Sequence, residues 1–225
     1  MKKIYARTFA ISPLLLALSG AAFAQSAGDI SVRLGATQIV PKVESGSLSA
    51  PSFFNAQVDV LKADSWGGGI TYHFSDRLAL DLPLMMPFEH DVIGAGSLAG
   101  VGKLATVKVI PVTLMGQFRP LGSSYSLRPY VAGGLTYAHT KETQSTAVLN
   151  GLSGGTLAKP TTMDMKGKFG VTAQVGLNWA VTQRIFLDVS AMKTFINGEG
   201  VLSTGQRVRL ELNPVSYSAA VGYRF

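Results

Sequence analysis

The chain has 225 residues, 47% of them hydrophobic and only 15% charged, with 20 Lys/Arg against 13 Asp/Glu for a formal charge of +7 and no cysteine. The missing cysteine excludes a disulfide framework and a thiolate metal centre. The basic residues are dispersed, with no stripe of interleaved aromatics, so nucleic acid is not an expected partner, and the length suits one domain.

In chain order the first feature is a targeting segment. Lys2, Lys3 and Arg7 precede an apolar run from Phe9 to Leu18, and Ala22-Phe23-Ala24 has the small-x-small pattern of a cleavage site. The run contains Ser12 and Pro13 and falls short of the roughly 20 residues a membrane-spanning helix needs. Residues 1–24 are expected to be a cleaved signal peptide, leaving 25–225 as a single domain whose charge drops to +4 with the loss of Lys2, Lys3 and Arg7.

The remainder reads with a period of two, the signature of strands. A first strand at Asp29 to Ile39 sets Ile30, Val32, Leu34 and Ala36 against Ser31, Arg33, Gly35 and Thr37 and stops at Pro41; a loop follows to about Val58. A second carries Trp66, Ile70, Tyr72 and Phe74 on one face, and a third, after the turn Ser75-Asp76-Arg77, carries Leu78, Leu80, Leu82, Leu84 and Met86. After a loop at 87–102, a fourth strand has Ile110, Val112, Leu114 and Phe118 outward, and a fifth, past Gly122-Ser123-Ser124, has Leu127, Val131, Leu135 and Tyr137 outward. The stretch from His139 to Met163 shows no periodicity. Strands six (Phe169 to Trp179) and seven (Ile185 to Met192) flank the turn Thr182-Gln183-Arg184. In the last segment Val208, Leu210 and Leu212 are even-numbered, whereas Val215, Tyr217, Ala219, Val221, Tyr223 and Phe225 are odd. A bulge or bend is expected at Asn213-Pro214, with the membrane crossing after it.

Eight strands with an apolar outer face, and short turns alternating with long loops, predict an all-β, antiparallel, up-and-down transmembrane barrel in the outer membrane of a Gram-negative cell. The first strand must pair with the last, because an open edge in lipid leaves backbone groups unsatisfied at several kcal/mol each. The terminal aromatics Tyr223 and Phe225 are the barrel-closing signal by which assembly machinery would read the C-terminal strand. Short turns belong at the periplasmic rim and long loops outside.

The inward face divides by height. Arg33, Asp81, Arg119, Arg128, Asp188 and Arg224, joined by Gln117, Gln174 and His73, lie near periplasmic turns or termini. They are expected to plug the lower lumen, with each aspartate contacting an arginine because a buried charge must be paired. Glycines such as Gly67, Gly69, Gly134, Gly170, Gly176 and Gly222 make room for such side chains in a narrow barrel. Higher up, Pro83, Met85, Met115, Phe186 and Met192 are inward by parity and are expected to line an apolar lumen, thioethers being adaptable to varied shapes. Core filling is the plainer reading of the same residues, as strand register is of the charged ones. Inward Pro83 and Pro111 cannot donate to the ladder and mark a possible lateral gate between strands three and four.

Val32-Arg33 with Ala36-Thr37 and Pro41, Thr71-Tyr72, Pro87-Phe88-x-His90, Pro111-x-Thr113-Leu114-Met115-x-Gln117, Arg128-Pro129-Tyr130-Val131 and the closing Gly222-Tyr223-Arg224-Phe225 together resemble the outer membrane protein W (OmpW/AlkL) family. The resemblance implies an eight-stranded barrel with a hydrophobic channel for passive uptake of small apolar molecules and lateral release. The family often has a large aromatic near the lumen where this chain has Met192, so the shape of a gate is expected to differ. Small hydrophobic solutes, outer-membrane lipids and lipopolysaccharide are the expected partners. A non-transporting structural or surface-recognition barrel acting through its loops is the alternative. Catalysis is not expected: His73, His90 and His139 fall at separate places, without a Ser/His/acid cluster. Glu89-His90-Asp91 reads as a solvated loop rather than a metal site, and no cofactor is implied.

Overall fold

A computed structural model describes residues 27–225 apart from Pro51, Phe53, Gly122, Leu157, Lys166 and the side chain of Glu142. The expected signal peptide, residues 1–24, lies outside the described residues. In chain order the elements are β1 (Ile30–Val40), β2 (Glu44–Ser45), β3 (Ala56–Val60), β4 (Ala63–His73), β5 (Leu78–Met85), β6 (Phe88–Gly96), β7 (Lys103–Phe118) and β8 (Leu127–Ser145). There follow α1 (Ala147–Ser153), β9 (Met163–Met165), β10 (Lys168–Ala180), β11 (Ile185–Phe195), β12 (Asn197–Leu202), β13 (Arg207–Glu211) and β14 (Val215–Arg224).

Eight of these strands, β1, β4, β5, β7, β8, β10, β11 and β14, form a closed antiparallel ring. Closure is made by β1 on β14, in register from Ser31↔Arg224 to Val40↔Val215. The ring is thereby closed, with no free first or last strand exposed to lipid. The ten residues of β14, at about 3.3 Å each and tilted by about 40°, rise about 25 Å, the height of an outer-membrane apolar band.

Alternation decides the two faces. Leu34, Val112, Val131, Leu135, Val175, Val189 and Val221 stand exposed on the outside, while Thr71, Asp81, Gln117, Arg128 and Asn178 are buried inside. Aromatics gird both rims: Tyr72 with Phe74 (centroids 5.0 Å apart) and Tyr223 with Phe225 (5.0 Å) at the periplasmic end, Tyr137 with Phe169 (4.7 Å), Trp66 and Phe195 at the other. Two of the short turns are closed by their first hydroxyl. Ser75 Oγ accepts from the N–H groups of Arg77 and Leu78, and Thr182 Oγ1 from those of Arg184 and Ile185.

The extracellular connections, whose conformation the periodicity left unassigned, carry strands and a helix of their own. β7 and β8 run on above the membrane as a long hairpin, with β6 paired to β7 and β3 paired to β6. β2, β13, β12 and β9 form a separate four-stranded sheet. Val208 and Leu210 therefore belong to this second sheet and not to the closing strand. The join is the bend expected at Asn213-Pro214: Asn213 adopts φ 31 and its Oδ1 accepts from Ile196 N–H (3.1 Å). The aperiodic stretch after His139 holds α1, with Thr146 at its N-cap accepting from Leu149 N–H (3.4 Å) and Gly154 at φ 80 ending it. Leu149 joins Ala56, Val92, Leu98, Leu104, Ala105, Val107, Met163 and Leu202 in an apolar core that roofs the barrel.

Candidate functional site

Three levels can be followed down the lumen. The lowest is polar. Arg33 Nη1 and Nη2 donate to Asp81 Oδ1 and Oδ2 at 2.6 and 2.7 Å, and Thr71 Oγ1 donates to Asp81 Oδ1 at 2.6 Å. The glycine at 69 permits this, because a Cβ there would stand 2.7 Å from Arg33 Nη2. Asp188 does not follow the expected pattern. It accepts from the Tyr130 hydroxyl (3.0 Å) and the Asn178 amide (3.5 Å) instead of being gripped by an arginine.

Two arginines instead lie on aromatic faces: Arg119 is 5.8 Å from the Tyr130 ring centre and Arg224 is 5.1 Å from that of Phe186. Arg119 also donates to Gln117 Oε1 (3.1 Å) and Arg224 to Asn178 Oδ1 (2.9 Å). Arg128 turns back onto the periplasmic turn, donating to the carbonyls of Tyr125 (2.7 Å) and Ser123 (2.8 Å). Gln174 donates to Ser190 Oγ (3.0 Å). Four guanidinium groups thus share this level with two carboxylates, and rings make up part of the difference. Tyr130 and Asn178 are the residues missed from sequence; their inward parity was visible, but not that they would replace carboxylate–arginine contacts.

Above the charged groups, Thr113, Thr136, Thr172 and Thr194 join four adjacent strands through hydroxyl contacts of 2.8, 2.6 and 3.1 Å. Over that row opens a chamber of about 110 Å³, walled mainly by aliphatic and aromatic side chains such as Val58, Phe88, Val109, Ile196 and Leu212. Its size is of the order of the roughly 150 Å³ engineered apolar cavity that stays dry and binds benzene. A smaller cavity of about 40 Å³ lies in the roof and shares Val58, Val92, Met163 and Val208 with the chamber. Another, of about 20 Å³, lies below and includes Arg33, Pro83, Met85 and Asp188. Met192 borders both the chamber and this lower space.

The expected apolar lining is therefore not one surface. Met192 reaches the chamber, Pro83 and Met85 face the small lower cavity, and Met115 is buried opposite Asp81 in the ladder. Phe186 is a correction: it stands at the periplasmic end, under Arg224 and against the bare Cα of Gly222. Parity fixes the face of a strand residue, whereas height depends on distance from the turn, and Phe186 is two residues from it. The chamber instead draws on the cap, through Phe88, His90, Val92, Met163, Ile196, Val208 and Leu210. A signal for part of this was present, since the odd-numbered face of β7 continues upward from Pro111 through Val109 and Val107.

His90 is held by an Nδ1 contact to the Leu61 carbonyl (2.9 Å), and burial lowers its pKa from the ordinary histidine value. Asp91, beside it on the outer surface, is held below the usual carboxylate range by Lys103 (2.7 Å) and Thr106 (3.0 Å).

The wall beside the chamber is incompletely paired. β5 and β7 pair from Leu78↔Phe118 to Asp81↔Met115, and pairing to β7 resumes only at Phe88↔Val109. Between these points Leu82–Pro87 face Ile110–Leu114 without a ladder, although β5 keeps β4 and β7 keeps β8 on their far sides. Pro83 and Pro111 both lie in this seam, and Pro111 also borders the chamber.

A closed eight-stranded wall with an apolar exterior and two aromatic girdles defines an outer-membrane β-barrel. Comparison with known proteins makes the assignment narrower. The OmpW family profile matches residues 26–225, and the chain belongs to the OmpW family. Outer membrane protein W of Escherichia coli (strain K12) is 29% identical over 230 aligned residues, covering 100% of both chains. The fold resembles the crystal structure of OprG from Pseudomonas aeruginosa, with a TM-score of 0.81 and 22% identity over 91% of this chain and 99% of that one. It also resembles the solid-state NMR structure of AlkL in DMPC lipid bilayers, with a TM-score of 0.65 and 20% identity over 100% of this chain and 97% of that one.

Proposed function

We propose that this outer-membrane barrel is a passive route for uptake of small apolar molecules, which occupy the chamber and leave sideways through the seam between β5 and β7. The observation that carries the reading is the position of the chamber: it lies directly above a lumen filled by Arg33, Asp81, Arg119, Arg128, Asp188 and Arg224 and beside the stretch Leu82–Pro87, which has no ladder to β7. An apolar solute gains by leaving water for such walls, at roughly 25 cal/mol per Å², and has no comparable reason to enter the charged level. Two cuffs would gate the path: Val58, Val92, Met163 and Val208 above, Met192 below. Export through a signal segment at residues 1–24, recognition of the strand ending in Tyr223 and Phe225 by assembly machinery, and lipopolysaccharide against the outer girdle belong to the same reading.

The packed roof around Leu149 and Leu104 favours a second reading, a structural or surface-recognition barrel working through its extracellular sheets. The experiment compares cells lacking and carrying the protein for uptake of a small alkane, with a polar sugar as control. Faster uptake of the alkane alone supports the first reading; equal uptake of both probes in both strains refutes it.

A further inference from the structure

The polar atoms of the chamber are few and unevenly placed. Thr136, Thr194 and Ser216 stand at its floor and His90 toward the roof, and no Lys, Arg, Asp or Glu borders it. Thr136 and Thr194 belong to the row Thr113–Thr136–Thr172–Thr194. Four hydroxyls carry four O–H donors and also accept, whereas three mutual contacts use only three donors. One donor is left over whichever way the row runs. If each hydroxyl donates toward β11, the spare proton is on Thr194, at the chamber wall. Ser216, 3% exposed, borders the chamber too, and its hydroxyl makes no side-chain hydrogen bond among the described residues. With the row in that direction, a pure hydrocarbon would leave both donors unsatisfied in a dry space, a costly arrangement.

We propose that Thr194 and Ser216 form a subsite for the polar end of an uncharged amphiphile, with its apolar body among the Val, Ile, Leu and Met side chains above. The ligand class is a short chain bearing one acceptor oxygen: a ketone, an ester or an alcohol. A carboxylate fits poorly, because no cation borders the chamber to offset its desolvation. The row behind Thr194 strengthens the donor, since a hydroxyl that accepts a hydrogen bond is polarised to donate one. This inference rests on the uptake reading and specifies its substrate.

The test measures initial uptake of octane and of 2-octanone by cells lacking the protein or carrying the wild type, Thr194→Val or Ser216→Ala. Assembly is checked by outer-membrane fractionation and by resistance of the barrel to unfolding in SDS until heated. The expected result is a fall of about fivefold in the ratio of protein-dependent 2-octanone uptake to octane uptake, the worth of one ordinary hydrogen bond. An unchanged ketone-to-alkane ratio in both variants, or an equal fall for both probes, overturns the subsite while leaving the uptake reading in place. Should Thr194→Val fail to assemble, Ser216→Ala decides alone. No protein-dependent uptake of either probe by the wild type refutes the uptake reading itself, and the subsite with it.

Discussion

The buried ion pair at the polar level of the lumen gives the sharpest prediction. Asp81 is 0% exposed and receives three hydrogen bonds, two from Arg33 at 2.6 and 2.7 Å and one from Thr71 at 2.6 Å. Asp81→Ala removes all three and leaves Arg33, whose side chain is 10% exposed, among Arg119, Arg128 and Arg224 with Asp188 as the one remaining carboxylate of that level. An uncompensated buried charge of this kind costs about 3–5 kcal/mol. Replacing both partners, as Arg33→Met with Asp81→Leu, removes the charge and the demand for pairing together, and should recover most of that loss. Reversible urea unfolding of the barrel in lipid vesicles, read by the fluorescence of Trp66 and Trp179 on the outer face, gives both numbers. If Asp81→Ala costs less than about 1 kcal/mol, the pair behaves like an exposed one and the account of the polar level is wrong. A double variant no more stable than the single one would also refute it.

Met192→Asp, which puts a charge between the chamber and the lower cavity, should slow alkane uptake without preventing assembly; unchanged uptake in an assembled variant counts against that path. Gly222→Ala would place a Cβ 2.1 Å from Phe186 Cζ and should destabilise the barrel by about 1–3 kcal/mol. The control is Gly116→Ala, where the nearest atom is 4.0 Å away; equal unfolding midpoints for the two variants would refute the close packing. His90 has a folded pKa below its unfolded one, so its contribution is fully present above about pH 6.5 and is lost as pH falls below that value toward the folded pKa. Amide exchange at Leu61 and His90 should accelerate over that acid range in the wild type and lose this pH response in His90→Asn, a persistent response in the variant being the contrary result.

How much was legible in the sequence differs by level. Within the membrane, alternation was sufficient: Leu78 to Met86 and Val215 to Phe225 show a period of two because one face meets lipid and the other a lumen. Outside it that contrast fades. Val107 joins a roof core built with β6 and α1, and Val208 and Leu210 of β13 border the chamber beside it, surroundings that exist only once segments distant in the chain have paired. The structure of the long connections was not legible for this reason, and Phe186 lies lower than expected because parity carries no information about depth.

The sequence by itself determined the ring of eight strands, its inside and outside, its two rims and the bend at Asn213-Pro214, since each follows from local periodicity and from the cost of an open sheet edge in lipid. Tertiary structure alone decided that Arg33 takes Asp81 while Asp188 takes Tyr130, that Arg119 and Arg224 lie over rings, where the chamber sits, and that the ladder lapses between Asp81 and Phe88. These features depend on stagger between strands and on which side chains reach one another across the lumen. Such distances are set by closure of the ring and are written in no single segment.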